Sequence, residues 1–266
     1  MMQRVALFVS FLIFCSFAKN SSLENIMKSA IESKDVACVF IDCNSGEIIT
    51  QDSTKISIRY APCSTFKIWN TLIGAECQFI KSPDDNFYTW DSIQRFLPAW
   101  NKNLSLKEAF QVSCVPAFQI LAQKIGRETM AKWIGILNYG DLDISSGIND
   151  FWLPSENKKS IMISPLEQAQ LIRKLINGKL PFNKESINIL QEIMIIEKTA
   201  KGVYFGKTGS GTITNKAKAQ TIGWFVGYVI SKDMKYSFAC ITKGENISGK
   251  DSKEIIKSIL IMSELI

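Results

Sequence analysis

The 266-residue chain contains no histidine. Histidine is the commonest general base in enzymes and the commonest metal ligand. Its absence excludes a Ser-His-Asp triad and a histidine-based zinc hydrolase. Any hydrolytic base must therefore come from Lys, Tyr, Asp, Glu or a modified side chain.

Blocks of like charge are also missing, although the net charge is +6 and 46% of the residues are hydrophobic. Interspersed charges are typical of a solvated surface, so we predict no nucleic-acid partner. No Cys-x-x-Cys pair occurs among the seven cysteines, and we predict no metal site. Cys38 and Cys43 are five positions apart and would face opposite sides of a strand, so we expect buried free thiols without a disulfide.

The N-terminus has the pattern of a secretory signal. Arg4 precedes an apolar run at residues 5–14, and small residues follow at the positions that a signal peptidase reads. We predict a signal peptide at 1–18, export across the inner membrane to the periplasm, and no stable membrane insertion, because the run is too short to span a bilayer. Lipidation at Cys15 is an alternative that the bulky Phe14 disfavours.

The order of patterns predicts an α+β fold in a single domain, 19–266. A strand is expected at 36–41 and a return strand at 47–50. Helical segments follow: Ser105 and Glu108 form a capping box, and Ser164, Pro165, Glu167 and Gly178 bracket another helix. Three strands and a last helix follow, at 203–207, 221–230, 236–241 and 252–265. A helical lobe at about 65–175 is therefore inserted between the β parts.

Ser64 and Lys67 form an S-x-x-K element after Pro62. If a helix begins there, the hydroxyl and the amine lie one turn apart on the same face, so that Lys67 or a base made from it can take the hydroxyl proton. A capping serine with an exposed lysine is the commoner reading of such a short motif.

Two further elements raise the significance of this motif. Ser113, with Val115, precedes a helix-breaking proline, and Lys207-Thr208-Gly209 ends a predicted strand before Ser210. A nucleophile pair, a second hydroxyl in a loop and a cation on a strand edge form a constellation suited to acyl transfer.

Over its whole mature length, the chain resembles the class D (oxacillinase-type) serine β-lactamases. The resemblance rests on the motifs Ser64-Thr65-Phe66-Lys67, Ser113-Cys114-Val115, Tyr139-Gly140-Asp141 and Lys207-Thr208-Gly209, and on the segments around Trp100, Phe151 and Trp224. It implies a transpeptidase-like α/β sandwich, with an antiparallel sheet of at least five strands flanked by N- and C-terminal helices. The implied partner is a small β-lactam, and the oligomeric state stays open.

The resemblance also implies how a site without histidine works. Apolar walls formed by Phe66, Val115, Trp152 and Leu153 would keep Lys67 uncharged, so that its amine captures CO2. The carbamate, held by the indole N–H of Trp152, would be the base for acylation and deacylation.

The remaining site residues are assigned in the same way. Ser113 would pass a proton to the departing ring nitrogen while Lys207 holds its hydroxyl and the substrate carboxylate. Backbone N–H groups of Ser64 and Ser210 would form the oxyanion hole. The substrate-binding residues implied are Thr208, Gly209, Ser210 and Trp100.

Two positions depart from the family pattern. Asp141 replaces an asparagine, and we interpret that turn as structural. The family's arginine near the start of the last helix is also missing: no Arg follows Arg173, and Ser252 stands in that place. Lys250 or Lys253 could substitute, although lysine lacks the bidentate fork of arginine.

Three alternatives share parts of this pattern. A β-lactam-sensing receptor or a penicillin-binding transpeptidase would form a long-lived acyl-enzyme, although Val115 suits a carbamate pocket better than the Asn of many transpeptidases. A phosphate-binding loop at Gly206-Lys207-Thr208 fails because Lys201 replaces the first glycine and because the segment after Thr208 is expected to be a turn.

Overall fold

The computed structural model describes residues 22–31, 35–154, 158–215, 218–232 and 234–266. The predicted signal peptide at 1–18, with Cys15, lies outside these ranges. Within them no helix is both long and apolar enough to cross a bilayer.

A six-stranded antiparallel sheet forms the centre of the fold, in the order β2-β1-β8-β7-β6-β5. This confirms the predicted sheet class. The six strands are β1 Val36–Asp42, β2 Ile48–Thr50, β5 Ile195–Lys198, β6 Val203–Asn215, β7 Lys218–Ser231 and β8 Met234–Gly244. A separate two-stranded sheet joins β3 Asn86–Tyr88 to β4 Leu104–Ser105.

Helices cover both faces of the sheet, which makes the α/β sandwich that the sequence predicted. The helices are α1 at 22–31, α2 Lys67–Glu76, α3 Leu106–Gln111, α4 Val115–Ile125, α5 Arg127–Leu137, α6 Pro165–Ile176, α7 Lys184–Met194 and α8 Gly249–Met262. Side chains alternate along each strand, so Cys38 and Phe40 pack with α1 and α8 on one face. Val39 and Ile41 pack with α2 and α6 on the other.

The helices predicted to begin after Ser105 and Ser164 are present, and each has a side-chain N-cap. Ser105 and Ser164 each accept a hydrogen bond from the backbone N–H three residues on, and both capping boxes are complete. The predicted helical lobe at about 65–175 ends in α6, which packs against β1 and β8 of the sheet. The six described cysteines are free thiols.

The expected turn after Thr208 is wrong. β6 continues to Asn215 and pairs with β7 along its whole length. The glycines that suggested a turn serve a close approach instead, because a Cβ at Gly211 would lie 2.8 Å from Cys63 Sγ and 2.5 Å from Pro154 Cγ. Cross-strand pairing and this contact override the local preference of glycine for turns.

A close approach of the same kind makes Gly223 of β7 a sensitive position. Its added Cβ would lie 1.9 Å from the backbone oxygen of Ser248, just before α8. We predict that Gly223→Ala lowers the free energy of unfolding by about 2–3 kcal/mol or more, because backbone must move, as measured by urea denaturation.

Gly135 in α5 supplies the matched control. It is exposed, and nothing lies within 4 Å of its added Cβ. Gly135→Ala should raise stability by about 0.5–1 kcal/mol through helix propensity. Equal effects of the two substitutions would contradict the packing of α8 against β7.

Candidate active site

Ser64 is presented by a short 3-10 turn, Cys63–Phe66, which leads directly into α2. The regular helix therefore begins at Lys67, three residues later than a start at Ser64. The turn still places the two groups of the motif together: Lys67 Nζ donates a hydrogen bond of 2.8 Å to Ser64 Oγ. Hydroxyl and amine are in the arrangement needed for direct proton transfer.

The Lys67 side chain is completely buried. Its Nζ lies 5.3 Å from the centre of the Phe118 ring. Burial lowers the pKa of Lys67 to about 7, while charge interactions with Cys114 and Cys63 oppose part of the decrease. Near neutral pH a large fraction of this lysine is therefore an uncharged amine, which can act as a base or a nucleophile.

A second serine–lysine pair joins the helical lobe to the sheet. Ser113 lies between α3 and α4 with a left-handed φ of 59°. Lys207 Nζ donates to Ser113 Oγ over 2.8 Å and to the backbone oxygen of Thr208 over 3.0 Å. Burial lowers the pKa of Lys207, and the positive charges of Lys67 and Lys253 lower it further.

Strand β6 brings the Ser113–Lys207 pair close to the Ser64–Lys67 pair. Gly209 lies against the turn that carries Ser64, since its added Cβ would be 3.2 Å from Ser64 N. The next residue, Ser210, uses its hydroxyl to accept a hydrogen bond of 2.9 Å from Gly249 N in α8. Its side chain therefore anchors α8, and its backbone follows the strand past the nucleophile.

Trp152 packs on Phe66, the residue that precedes Lys67. Trp152 is fully buried, and its ring stacks on Phe66 with centroids 5.7 Å apart. Its indole Nε1 is buried without a hydrogen-bond partner among the described residues. Val115, the first residue of α4, and Leu153 are both half-buried. A buried donor without an acceptor is costly, so this N–H fits an acceptor that joins the site.

Trp100 is half-buried and lies close to Ser113. Its indole N–H donates to the backbone oxygen of Val112 over 3.0 Å. The exposed ring of Phe96 packs edge-on against it, 5.7 Å between centroids. The two aromatic side chains form an apolar surface beside the Ser113 turn.

The two departures from the family pattern have structural explanations. Asp141 Oδ1 accepts the backbone N–H of Met162 at 3.0 Å and of Asp143 at 3.2 Å, which an asparagine oxygen could also do. Ser252 is fully buried and hydrogen-bonded to the Thr242 hydroxyl and the Gly223 oxygen. Ser252 therefore fastens α8 to the sheet and does not face Lys207.

Several residues of the site were not singled out from the sequence. Phe118 faces Lys67, the ring of Phe110 lies 5.5 Å from Lys207 Nζ, and the Cys63 and Cys114 thiols neighbour Lys67. Phe118 is three positions after Val115, so helical spacing could have placed it on the same face. The thiols gave no such signal. No cluster of three potential metal ligands occurs in the described ranges.

Comparison with known proteins places this geometry in a family. Residues 36–261 match the model of the penicillin binding protein transpeptidase domain. Beta-lactamase OXA-5 of Pseudomonas aeruginosa is 32% identical over 268 residues, covering 99% of this chain and 98% of OXA-5.

Solved structures agree with the match in sequence. The class D β-lactamase FUS-1 (OXA-85) of Fusobacterium nucleatum subsp. polymorphum superposes with a TM-score of 0.82 and 34% identity, covering 91% of this chain and 98% of FUS-1. The C-terminal domain of the Bacillus licheniformis BlaR penicillin-receptor also has a TM-score of 0.82, at 28% identity, covering 90% of this chain and 95% of that domain. On these matches, the chain belongs to the class D β-lactamase family.

Proposed function

We propose that this protein is a secreted serine β-lactamase that hydrolyses the ring amide of penicillins and related antibiotics and so confers resistance to them. The observation that carries the proposal is the joining of two buried serine–lysine pairs in one site. Ser64–Lys67 and Ser113–Lys207 each make a hydrogen bond of 2.8 Å, and both lysines have a lowered pKa. Such pairs serve acyl transfer, because each provides a hydroxyl and a group that moves its proton.

The proposed acylation uses these distances directly. Lys67 accepts the Ser64 proton as Oγ attacks the β-lactam carbonyl carbon, and the carbonyl oxygen becomes negative. The backbone N–H groups of Ser64 and Ser210 stabilise that charge, a contribution of about 3 kcal/mol per donor in other hydrolases. Ser113 gives its proton to the ring nitrogen as the C–N bond breaks, and Lys207, in its protonated form, returns a proton to Ser113 through their hydrogen bond and becomes neutral.

Lys67 also meets the requirements for reaction with CO2. About half of its amine is neutral near pH 7, it is shielded from bulk water, and Trp152 of the same hydrophobic core has a buried N–H without a partner among the described residues. The carbamate, when formed, would supply an anionic oxygen as base for Ser64 and for the deacylating water. It would also place a negative charge near Lys207, which favours protonated Lys207.

A penicillin receptor is the second candidate function, because the BlaR domain shares the fold. The two differ in whether water removes the acyl group from Ser64. We favour hydrolysis because Lys67 is completely buried beside the Phe118 ring, which excludes bulk water and lets a base persist there. Periplasmic location is part of the proposal and rests on the signal pattern at 1–18.

Mass spectrometry of the mature protein mixed with benzylpenicillin tests the reaction. We expect a transient adduct on Ser64 that disappears as substrate is consumed. Lys67→Ala should slow acylation by at least about 100-fold and leave any adduct in place, because general-base catalysis is lost. Lys124→Ala, an exposed lysine of α4, is the control and should behave as wild type. A permanent adduct on the wild type in bicarbonate would identify a receptor.

Uptake of CO2 should depend on pH. Because only the neutral amine of Lys67 reacts and its pKa is about 7, acidification from pH 7.5 to 5.5 leaves about 25-fold less of the reactive form. At a fixed pressure of ¹³CO2, the carbamate ¹³C NMR signal should fall at least that much and return on raising the pH. Lys67→Ala should give no such signal. A signal of equal size at both pH values would contradict the assignment to Lys67.

Trp152→Phe tests the proposed indole donor. Loss of one hydrogen bond to an anion should weaken CO2 binding by roughly 10- to 100-fold in the same NMR titration. Trp133→Phe, at a half-buried tryptophan stacked on Phe182, is the matched control and should leave the titration unchanged. An unchanged CO2 affinity in Trp152→Phe would contradict the proposal that the indole N–H donates to the carbamate.

A further inference from the structure

Two cysteines oppose each other in the central sheet. Cys38 of β1 pairs with Cys240 of β8 in the antiparallel register. Both side chains are completely buried on the face of the sheet that packs with α1 and α8. Among the strands that the structure describes, no other cysteine has a cysteine opposite it. Strand pairing therefore gives Cys38 a partner that its spacing from Cys43 does not reveal.

The backbone hydrogen bonds of β1 and β8 show which type of antiparallel position the two cysteines occupy. Lys243 N donates to the oxygen of the opposite residue, Asp35, over 2.9 Å. Cys38 and Cys240 lie three positions further along the two strands. Because hydrogen-bonded and non-hydrogen-bonded pairs alternate along an antiparallel ladder, the cysteines form a non-hydrogen-bonded pair. In such a pair the Cα atoms are about 4.5 Å apart and the side chains are closest.

This position fits the geometry of a disulfide bond. Bridged cysteines have Cα atoms about 4.4–6.8 Å apart, a range that includes the separation in a non-hydrogen-bonded pair. The two side chains already interact, since a hydrogen bond between them adds to burial in raising the pKa of Cys38 well above its usual range. Both are free thiols in the structure. The backbone pairing therefore places the sulfur atoms where a bond requires no change of register.

We propose that Cys38 and Cys240 form a disulfide bond when the chain folds in an oxidising compartment. The inference goes beyond the proposed function and uses one part of it, the export to the periplasm, where disulfides persist. The bond would join the neighbouring strands β1 and β8 covalently. It would also close a loop of about 200 residues, and a cross-link over so long a loop restricts the unfolded chain strongly.

The oxidant is a disulfide, of a protein or a small molecule, and the reaction is thiol–disulfide exchange. One cysteine loses its proton, and its thiolate attacks the oxidant, which releases one sulfur as a thiol and leaves a mixed disulfide. The second cysteine loses its proton and attacks the sulfur of the first. Two electrons and two protons thus pass to the oxidant, which leaves with both sulfurs as thiols. Because burial suppresses the Cys38 thiolate, the first attack precedes closure of the core around β1.

Refolding of the mature protein in a buffer of oxidised and reduced glutathione tests the bond independently of location. The refolded protein is denatured, its free thiols are alkylated with iodoacetamide, and it is digested with trypsin for mass spectrometry. We expect four of the six cysteines to be alkylated and the tryptic peptides 35–55 and 236–243 to be joined until dithiothreitol is added. Cys43, which lies in the first peptide, should carry the alkyl group.

Cys240→Ala and Cys77→Ala are the matched variants. Cys240→Ala should have all of its remaining cysteines alkylated and no joined peptides. Cys77 is half-buried at the end of α2, so Cys77→Ala should keep the bond. Reduction should lower the guanidinium midpoint of unfolding by about 0.5–1 M in wild type and in Cys77→Ala, and should not change it in Cys240→Ala.

Two outcomes would overturn the proposal: six alkylated cysteines in the refolded wild type, or a bond from Cys240 to a cysteine other than Cys38. Turnover of benzylpenicillin by the same samples separates this result from the proposed function. The cysteine pair lies on the face of the sheet opposite α2, so turnover should be equal with and without the bond. A protein without turnover would contradict the proposed function alone, because the count of alkylated cysteines still reports the bond.

Discussion

Removal of the Lys67 amine from water is the constraint on which the site depends. A lysine in solvent is an ammonium ion and cannot take a proton from a serine, whereas the buried amine lies 2.8 Å from Ser64 Oγ with a pKa of about 7. Desolvation therefore provides an uncharged amine as the base, where other serine hydrolases use histidine. The cost is a buried basic group, which the neighbouring Phe118 ring does not neutralise.

Glycines let the sheet reach this lysine. Gly209 and Gly211 of β6 pass so close to the Ser64 turn that a side chain at either position would meet it. The same strand carries Lys207 across to Ser113, so one element connects both serine–lysine pairs. The close contact of Gly223 with Ser248 fixes the start of α8. Both the geometry of the site and the packing of the sheet therefore depend on glycines, which have no Cβ.

The sequence predicted the sheet class and the helix starts after Ser105 and Ser164, because each depends on local patterns. The four catalytic candidates came from motifs with fixed spacing, and the structure brings them together as the hydrogen-bonded pairs Ser64–Lys67 and Ser113–Lys207. The predictions were wrong where contacts between residues far apart in the sequence determine the structure. The strand through Ser210 and Gly211 was expected to be a turn, since local glycine preference does not report its pairing with β7. The position of Phe110 near Lys207 depends on how the helices pack against the sheet, which spacing along one chain does not reveal.

A high-resolution crystal structure of the mature protein grown at pH 7.5 with bicarbonate tests the central claim most directly. We predict a Lys67 side chain that stays buried and carries a carbamate, with one oxygen accepting the Trp152 indole N–H and the other within hydrogen-bond distance of Ser64 Oγ. An unmodified Lys67 that forms a salt bridge, or that points into solvent away from Ser64, would contradict it.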